Sequence, residues 1–81
     1  MLINFKTCTL NLDNIIDFYG SSDNSLAFYP IKNSFDARYF NFKSKYSRDY
    51  NYNRILEMYG LVNVLILEDV DEDEQIIEDF K

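Results

Sequence analysis

The chain has 81 residues, of which 47% are hydrophobic and 17% are Phe or Tyr, with no Trp and no His. That length holds one domain at most, and so aromatic a composition excludes disorder of the chain as a whole. The formal net charge is −6, and the absence of His removes both the commonest general base near neutral pH and the commonest zinc ligand.

Residues 2–10 (LINFKTCTL) are rich in β-formers and predict a first strand, although their alternation is imperfect. Leu12, Ile15, Ile16 and Tyr19 follow at i, i+3, i+4 and i+7. This spacing predicts a helix over residues 12–19, with Asp13 as N-cap and Gly20 as its stop. The same segment read as a strand gives a β-rich meander with one or two helices instead. Residues 26–32 (LAFYPIK) predict a second strand. Pro30 cannot donate to a ladder, which places that strand at a sheet edge. Asn33 and Ser34 form a turn.

Residues 37–45 (ARYFNFKSK) alternate clearly and predict a third strand. Phe40 and Phe42 point one way; Tyr39, Asn41, Lys43 and Lys45 point the other. Tyr52, Ile55, Leu56 and Tyr59 repeat the helical spacing, with Asn51 or Asp49 as N-cap and Gly60 at the end. Residues 61–67 (LVNVLIL) are the most apolar stretch and predict a central strand, interrupted by Asn63. Asp71 and Glu74 form a capping pair for a last, acidic helix, docked by Ile76, Ile77 and Phe80. The whole is a single α+β domain over residues 1–81. Its order is ferredoxin-like, β-α-β-β-α-β, with an antiparallel sheet, both main helices on one face and an acidic C-terminal segment, 68–81.

Catalytic chemistry finds little to use. Cys8 is the only cysteine. It can form no intramolecular disulfide, has no His to activate it, and fits a half-buried strand position. The N-terminus lacks a basic segment followed by an apolar one, which with the lone cysteine points to the reducing cytoplasm. No apolar run is longer than the four residues Val64–Leu67, so no membrane span is expected. There is no Gly-rich phosphate loop, no G-x-S-x-G and no H-E-x-x-H. Asp69, Asp71 and Asp73 match positions 1, 3 and 5 of a calcium loop, but Glu74 stands where its glycine belongs and Phe80 where its last glutamate belongs. The expectation is a protein that is not an enzyme and holds no metal or cofactor.

Charge is distributed unevenly. Residues 1–54 carry seven basic and five acidic side chains, and residues 55–81 carry one basic and nine acidic. A basic, aromatic middle therefore precedes an acidic tail, which is an argument about partners. One reading of the acids is that they cap and solubilise a helix. The functional reading is mimicry of a polyanion: Glu68, Asp69, Asp71, Glu72, Asp73, Glu74, Glu78 and Asp79 would enter a groove built for phosphates. Tyr46, Tyr50 and Tyr52 would be its anchors. The partner would be a protein with a basic, nucleic-acid-binding surface.

The nine asparagines and few Gly, Pro and Ala resemble the products of an AT-rich genome. With the acidity they suggest a phage-encoded inhibitor of host machinery, including the anti-CRISPR type. The alternatives are an RNA or single-stranded DNA binder using residues 37–45, and an accessory subunit of a larger assembly. Tyr39, Asn41, Lys43 and Lys45 suit stacking on bases. The RNA-recognition motif that accompanies the ferredoxin-like order is not in ARYFNFKSKY, and the overall acidity opposes direct nucleic-acid binding. Opposite charges at the two ends also permit a homodimer.

Overall fold

The computed structural model describes residues 1–32 and 36–72. The described residues form strands β1 (Leu2–Phe5), β2 (Cys8–Asn11), β3 (Ile15–Gly20), β4 (Ser25–Pro30), β5 (Arg38–Asn41) and β6 (Val64–Leu67) and the helix α1 (Lys45–Met58). The strands make two three-stranded sheets, β2-β1-β6 and β3-β4-β5. The α+β class stands, but the order differs from the ferredoxin-like expectation. There are two sheets, and β6 runs parallel to β1 within the first. The proposed last helix is described only at its start, Asp71 and Glu72; the rest of it with its docking residues Ile76, Ile77 and Phe80, and the expected turn at Asn33 and Ser34, lie outside the described residues.

The segment expected as one strand over residues 2–10 is a hairpin. Phe5 pairs with Cys8, leaving Lys6 and Thr7 as a two-residue turn with Lys6 at φ 55°. Tight hairpin turns need a positive φ. Ile3 and Phe5 point inward, the alternation resets at the turn, and Leu10 points inward again.

Residues 12–19 do not form the expected helix. A 3-10 turn at Leu12–Asn14 leads directly into β3. Asn11, not Asp13, caps this turn, its Oδ1 accepting the Asp13 N–H at 3.0 Å. The register of β3 on β4 shifts between Ile15 and Asp17, so Ile16 is the extra residue of a bulge. Two consecutive isoleucines followed by Tyr19 imitate helical spacing while the backbone is extended.

Pro30 does not mark an edge. β4 is the central strand of its sheet, and Pro30 is its last residue, in the terminal pair with Ile15. The missing N–H therefore falls where the ladder ends. The third strand is shorter than expected, but its alternation holds: Phe40 and Phe42 are buried, whereas Tyr39, Asn41 and Lys43 are exposed. Lys45 belongs to the helix instead.

Helix α1 begins earlier than its apolar spacing suggests. Ser44 is the N-cap, its Oγ accepting the Ser47 N–H at 3.0 Å, so neither Asp49 nor Asn51 has that role. At the other end Tyr59 (φ −58°, ψ 126°) and Gly60 (φ 80°) make a type II turn, closed by the Leu61 N–H on Met58 O at 2.9 Å. β6 is an edge strand and not a central one, with only Leu65 and Leu67 of its four residues buried.

The core lies between the sheets. Phe5 of the first sheet meets Phe40 and Phe42 at ring distances of 5.4 and 4.5 Å, and Phe28 meets Phe40 at 5.2 Å. Ile3, Leu10, Leu12, Leu26, Leu65 and Leu67 complete it, and Ile55 joins it from the helix. Cys8 is exposed at the start of β2, where a half-buried position was expected.

Candidate functional site

Helix α1 is held by a polar stripe. Its buried residues are Ser47, Asn51 and Ile55, each four apart and thus stacked on one face. Ser47 and Asn51 grip the chain leaving β6. Asn51 Nδ2 donates to Ser47 O at 2.7 Å and to Glu68 O at 2.8 Å, and its Oδ1 accepts the Glu68 N–H at 3.2 Å. Ser47 Oγ accepts the Val70 N–H at 3.2 Å and donates to Asp69 Oδ1 at 3.0 Å. Further along, Arg54 Nη1 donates to Ile66 O at 2.9 Å. The acidic segment is thereby tied to the first turns of the helix.

The acids expected to act together are thus divided. Asp69 is half-buried, and its Oδ1 also accepts the Lys43 N–H at 2.9 Å. A carboxylate there sits beside the first turn of the helix, where the dipole favours negative charge, and ties Lys43 to Ser47 across the Ser44 cap. Asp71 pairs with Lys43 Nζ in the open. Asp71 and Glu72 line one open recess with Lys43, Ser44, Lys45, Tyr46 and Val70. Glu68 is exposed, with both backbone groups on Asn51. Asp73, Glu74, Glu78 and Asp79 lie outside the described residues.

The three helix tyrosines are divided as well. Tyr46 and Tyr50 are half-buried and stack on each other at 6.5 Å, and the Arg54 guanidinium lies 5.7 Å from the Tyr50 ring centre. They line a second recess with Asp49, Asn53 and Glu57, adjoining the first at Tyr46. Tyr52 turns the other way and packs against Phe18 at 5.4 Å. It serves the core.

A second aromatic group was not legible in the sequence. Tyr19 and Tyr39 flank Ala27 in register across the second sheet, on the face away from Phe28 and Phe40. Tyr29 stands two residues along the same face. Its hydroxyl is 2.6 Å from that of Tyr19, and the two rings stack at 5.5 Å. The hydrogen bond to Tyr19 is the first cause, and partial burial and Tyr39 further ones, of a Tyr29 pKa pushed up to about 12. Tyr39 is 55% exposed. The signal for Tyr19 was hidden by the helical reading of residues 12–19.

Among the described residues no three His, Cys, Asp or Glu side chains are grouped to hold a metal ion. No described helix is long and apolar enough to cross a membrane. No family model matches the chain, and no curated protein and no solved structure is significantly similar to it.

Proposed function

We propose that the protein is a non-enzymatic inhibitor that occupies a basic, nucleic-acid-binding surface of a partner protein, acting in the cytoplasm as a polyanion mimic. A phage-encoded protein directed at host machinery, the anti-CRISPR type included, fits this description. The observation that carries the reading is the continuity of acids with tyrosines along α1. Asp71 and Glu72 share a recess with Tyr46, which leads on to Asp49, Tyr50 and Glu57. Carboxylates steer a basic surface into place, and partly buried tyrosines supply apolar contact once it arrives. Glu68 adds to this negative charge, and Asp73, Glu74, Glu78 and Asp79 follow in the sequence with the same sign.

The test is capture of partners from a host lysate by the tagged protein, washed at low and at high salt. A nucleic-acid-handling protein recovered at low salt and weakened at high salt supports the reading. Reversal of Asp71, Glu72, Asp73 and Glu74 to Lys then abolishes capture while the domain stays folded. Unchanged capture by the folded variant overturns it.

A second reading rests on the exposed ring of Tyr39 beside Tyr19 and Tyr29. Such a face suits stacking on single-stranded bases. Binding of an oligonucleotide that Tyr39→Ala abolishes would favour it.

A further inference from the structure

We infer that the bulge of β3 forms a docking site for an arginine side chain of a protein partner, with Asp17 as its counter-ion and the Tyr19–Tyr29 stack as its platform. Alternation along β3 turns Phe18 inward onto Phe28, and Asp17 and Tyr19 outward. The bulge adds Ile16 to the outer side, so Ile16 and Asp17 stand exposed in succession. Asp17 is directly opposite Tyr29 in the register of β3 on β4, and such pairs are side-chain neighbours. Ile16, Asp17, Tyr19 and Tyr29 line one recess. Bulges re-aim side chains and are frequent beside functional sites.

Three observations select arginine as the occupant. The first is charge. Among the described residues, Asp17 is the one charged side chain lining this recess and the apolar recess beside it, which Leu56 and Tyr59 of α1 close on the far side. Asp13, Asp49 and Asp71 are each paired with a cation of the chain, whereas no described cation pairs with Asp17. The complementary charge is therefore positive and comes from outside. The second observation is the platform. The Tyr19 and Tyr29 rings are within 21° of parallel, and their hydroxyls are 2.6 Å apart, which holds the stack in place. A guanidinium is planar, lies flat on an aromatic ring and pairs with a carboxylate through two N–H groups. The compact, strongly hydrated ammonium of lysine matches neither surface as well. The third is Ile16, 66% exposed beside the carboxylate. Arginine lays its aliphatic stem on such apolar surface while its head stays polar.

The same carboxylate opposes nucleic acid at this end of the sheet, because phosphates carry its own sign. A basic protein is the partner proposed above, and in that respect alone the site rests on that reading. Its residues belong to β3 and β4, apart from the recess of Asp71 and Glu72 at the start of α1. The two rings are already ordered by each other, so docking immobilises little besides the arginine itself.

The test is an NMR titration of the isotope-labelled full chain with an end-capped Gly-Arg-Gly peptide and with its lysine counterpart. The expected result is a saturable shift of the Asp17, Tyr19 and Tyr29 amides that is weaker with lysine. Asp17→Asn, at an exposed position, should leave the circular dichroism unchanged and weaken the arginine peptide about threefold or more. Asp71→Lys should leave binding at Asp17 intact. Arginine binding that persists in Asp71→Lys supports the site even where the acids beside α1 meet no partner. Shifts confined to those acids, or equal binding by Asp17→Asn, overturn it. So does an oligothymidine that shifts the Asp17 and Tyr29 amides more than the arginine peptide does.

Discussion

Asn51 substitutes for a neighbouring strand at Glu68. Its amide donates to the Glu68 carbonyl at 2.8 Å and accepts from the Glu68 N–H at 3.2 Å, matching both backbone groups of one residue. The side chain is fully buried and also donates to Ser47 O. Truncating it leaves buried backbone groups unpaired, which costs more than the net value of the bonds. Asn51→Ala should destabilise the domain by about 3 kcal/mol. Asn51→Asp should be comparably costly, since it removes the donors and turns an anion toward two carbonyls. Urea unfolding would read this as a lower midpoint at unchanged slope. A loss below about 1 kcal/mol would mean that water replaces Asn51 readily.

The described acids after β6 separate into a structural one, Asp69, and exposed ones, Asp71 and Glu72. Asp69 accepts from the Lys43 N–H and the Ser47 hydroxyl at the start of α1. Asp69→Ala should therefore cost about 1–2 kcal/mol. Asp71 and Glu72 are exposed. Their reversal to Lys should change stability by no more than about 0.5 kcal/mol, although Asp71 pairs with Lys43. Thermal unfolding of the single variants distinguishes the two classes. If Asp71→Lys proves as destabilising as Asp69→Ala, charge reversal there cannot separate binding from folding.

Tyr29 should be the source of an alkaline transition. Its pKa is raised in the folded protein from an ordinary 10.0 to about 12, first by the hydrogen bond to Tyr19. The neutral phenol is favoured in the folded state, so the associated stability is complete below pH 10 and is lost as pH rises toward 12. Between those values the unfolded chain binds fewer protons than the folded one, and stability falls with pH. A phenolate absorbance titration of wild type against Tyr29→Phe should show a difference centred near 12. Tyr19→Phe should move the remaining Tyr29 transition toward 10. A difference already centred at 10 would contradict the Tyr19 bond.

Legibility in the sequence followed periodicity closely. The alternation of the third strand was read correctly, since Phe40 and Phe42 are buried between exposed Tyr39, Asn41 and Lys43, although the strand itself covers only Arg38–Asn41 of the expected 37–45. Gly60 ended the helix as expected. The failures have local causes. The bulge at Ile16 gave an extended segment a helical spacing, although Ile16 itself is 66% exposed. The turn at Lys6 contains none of the usual turn residues, so the first hairpin looked like one strand. Val64 and Ile66 made an edge strand look buried on both faces. At the site, the acids and Tyr46 and Tyr50 were visible as a charge run and an aromatic cluster. The polar stripe of Ser47 and Asn51 was not, because an apolar stripe is what identifies the packed face of a helix.

Backbone conformation yields a pair of predictions of opposite sign. Gly60 sits at φ 80°, the third position of its type II turn, and a Cβ there would meet nothing within 4 Å. Gly60→Ala is therefore free of clashes and tests the backbone alone. It should destabilise by about 1 kcal/mol, because an L-residue is strained at that φ. Lys6 shows the converse. It holds φ 55° with a side chain attached, in a turn whose geometry glycine adopts freely. Lys6→Gly should stabilise by up to about 1 kcal/mol, relief of strain outweighing the greater entropy of the unfolded chain. The Lys6 ammonium also lies 5.1 Å from the Phe5 ring centre. An exposed cation–π contact of this kind contributes about 0.5 kcal/mol, so it reduces the gain without reversing it. Chemical denaturation of both variants decides the matter, and a destabilised Lys6→Gly would show that the cation over Phe5 matters more than the turn.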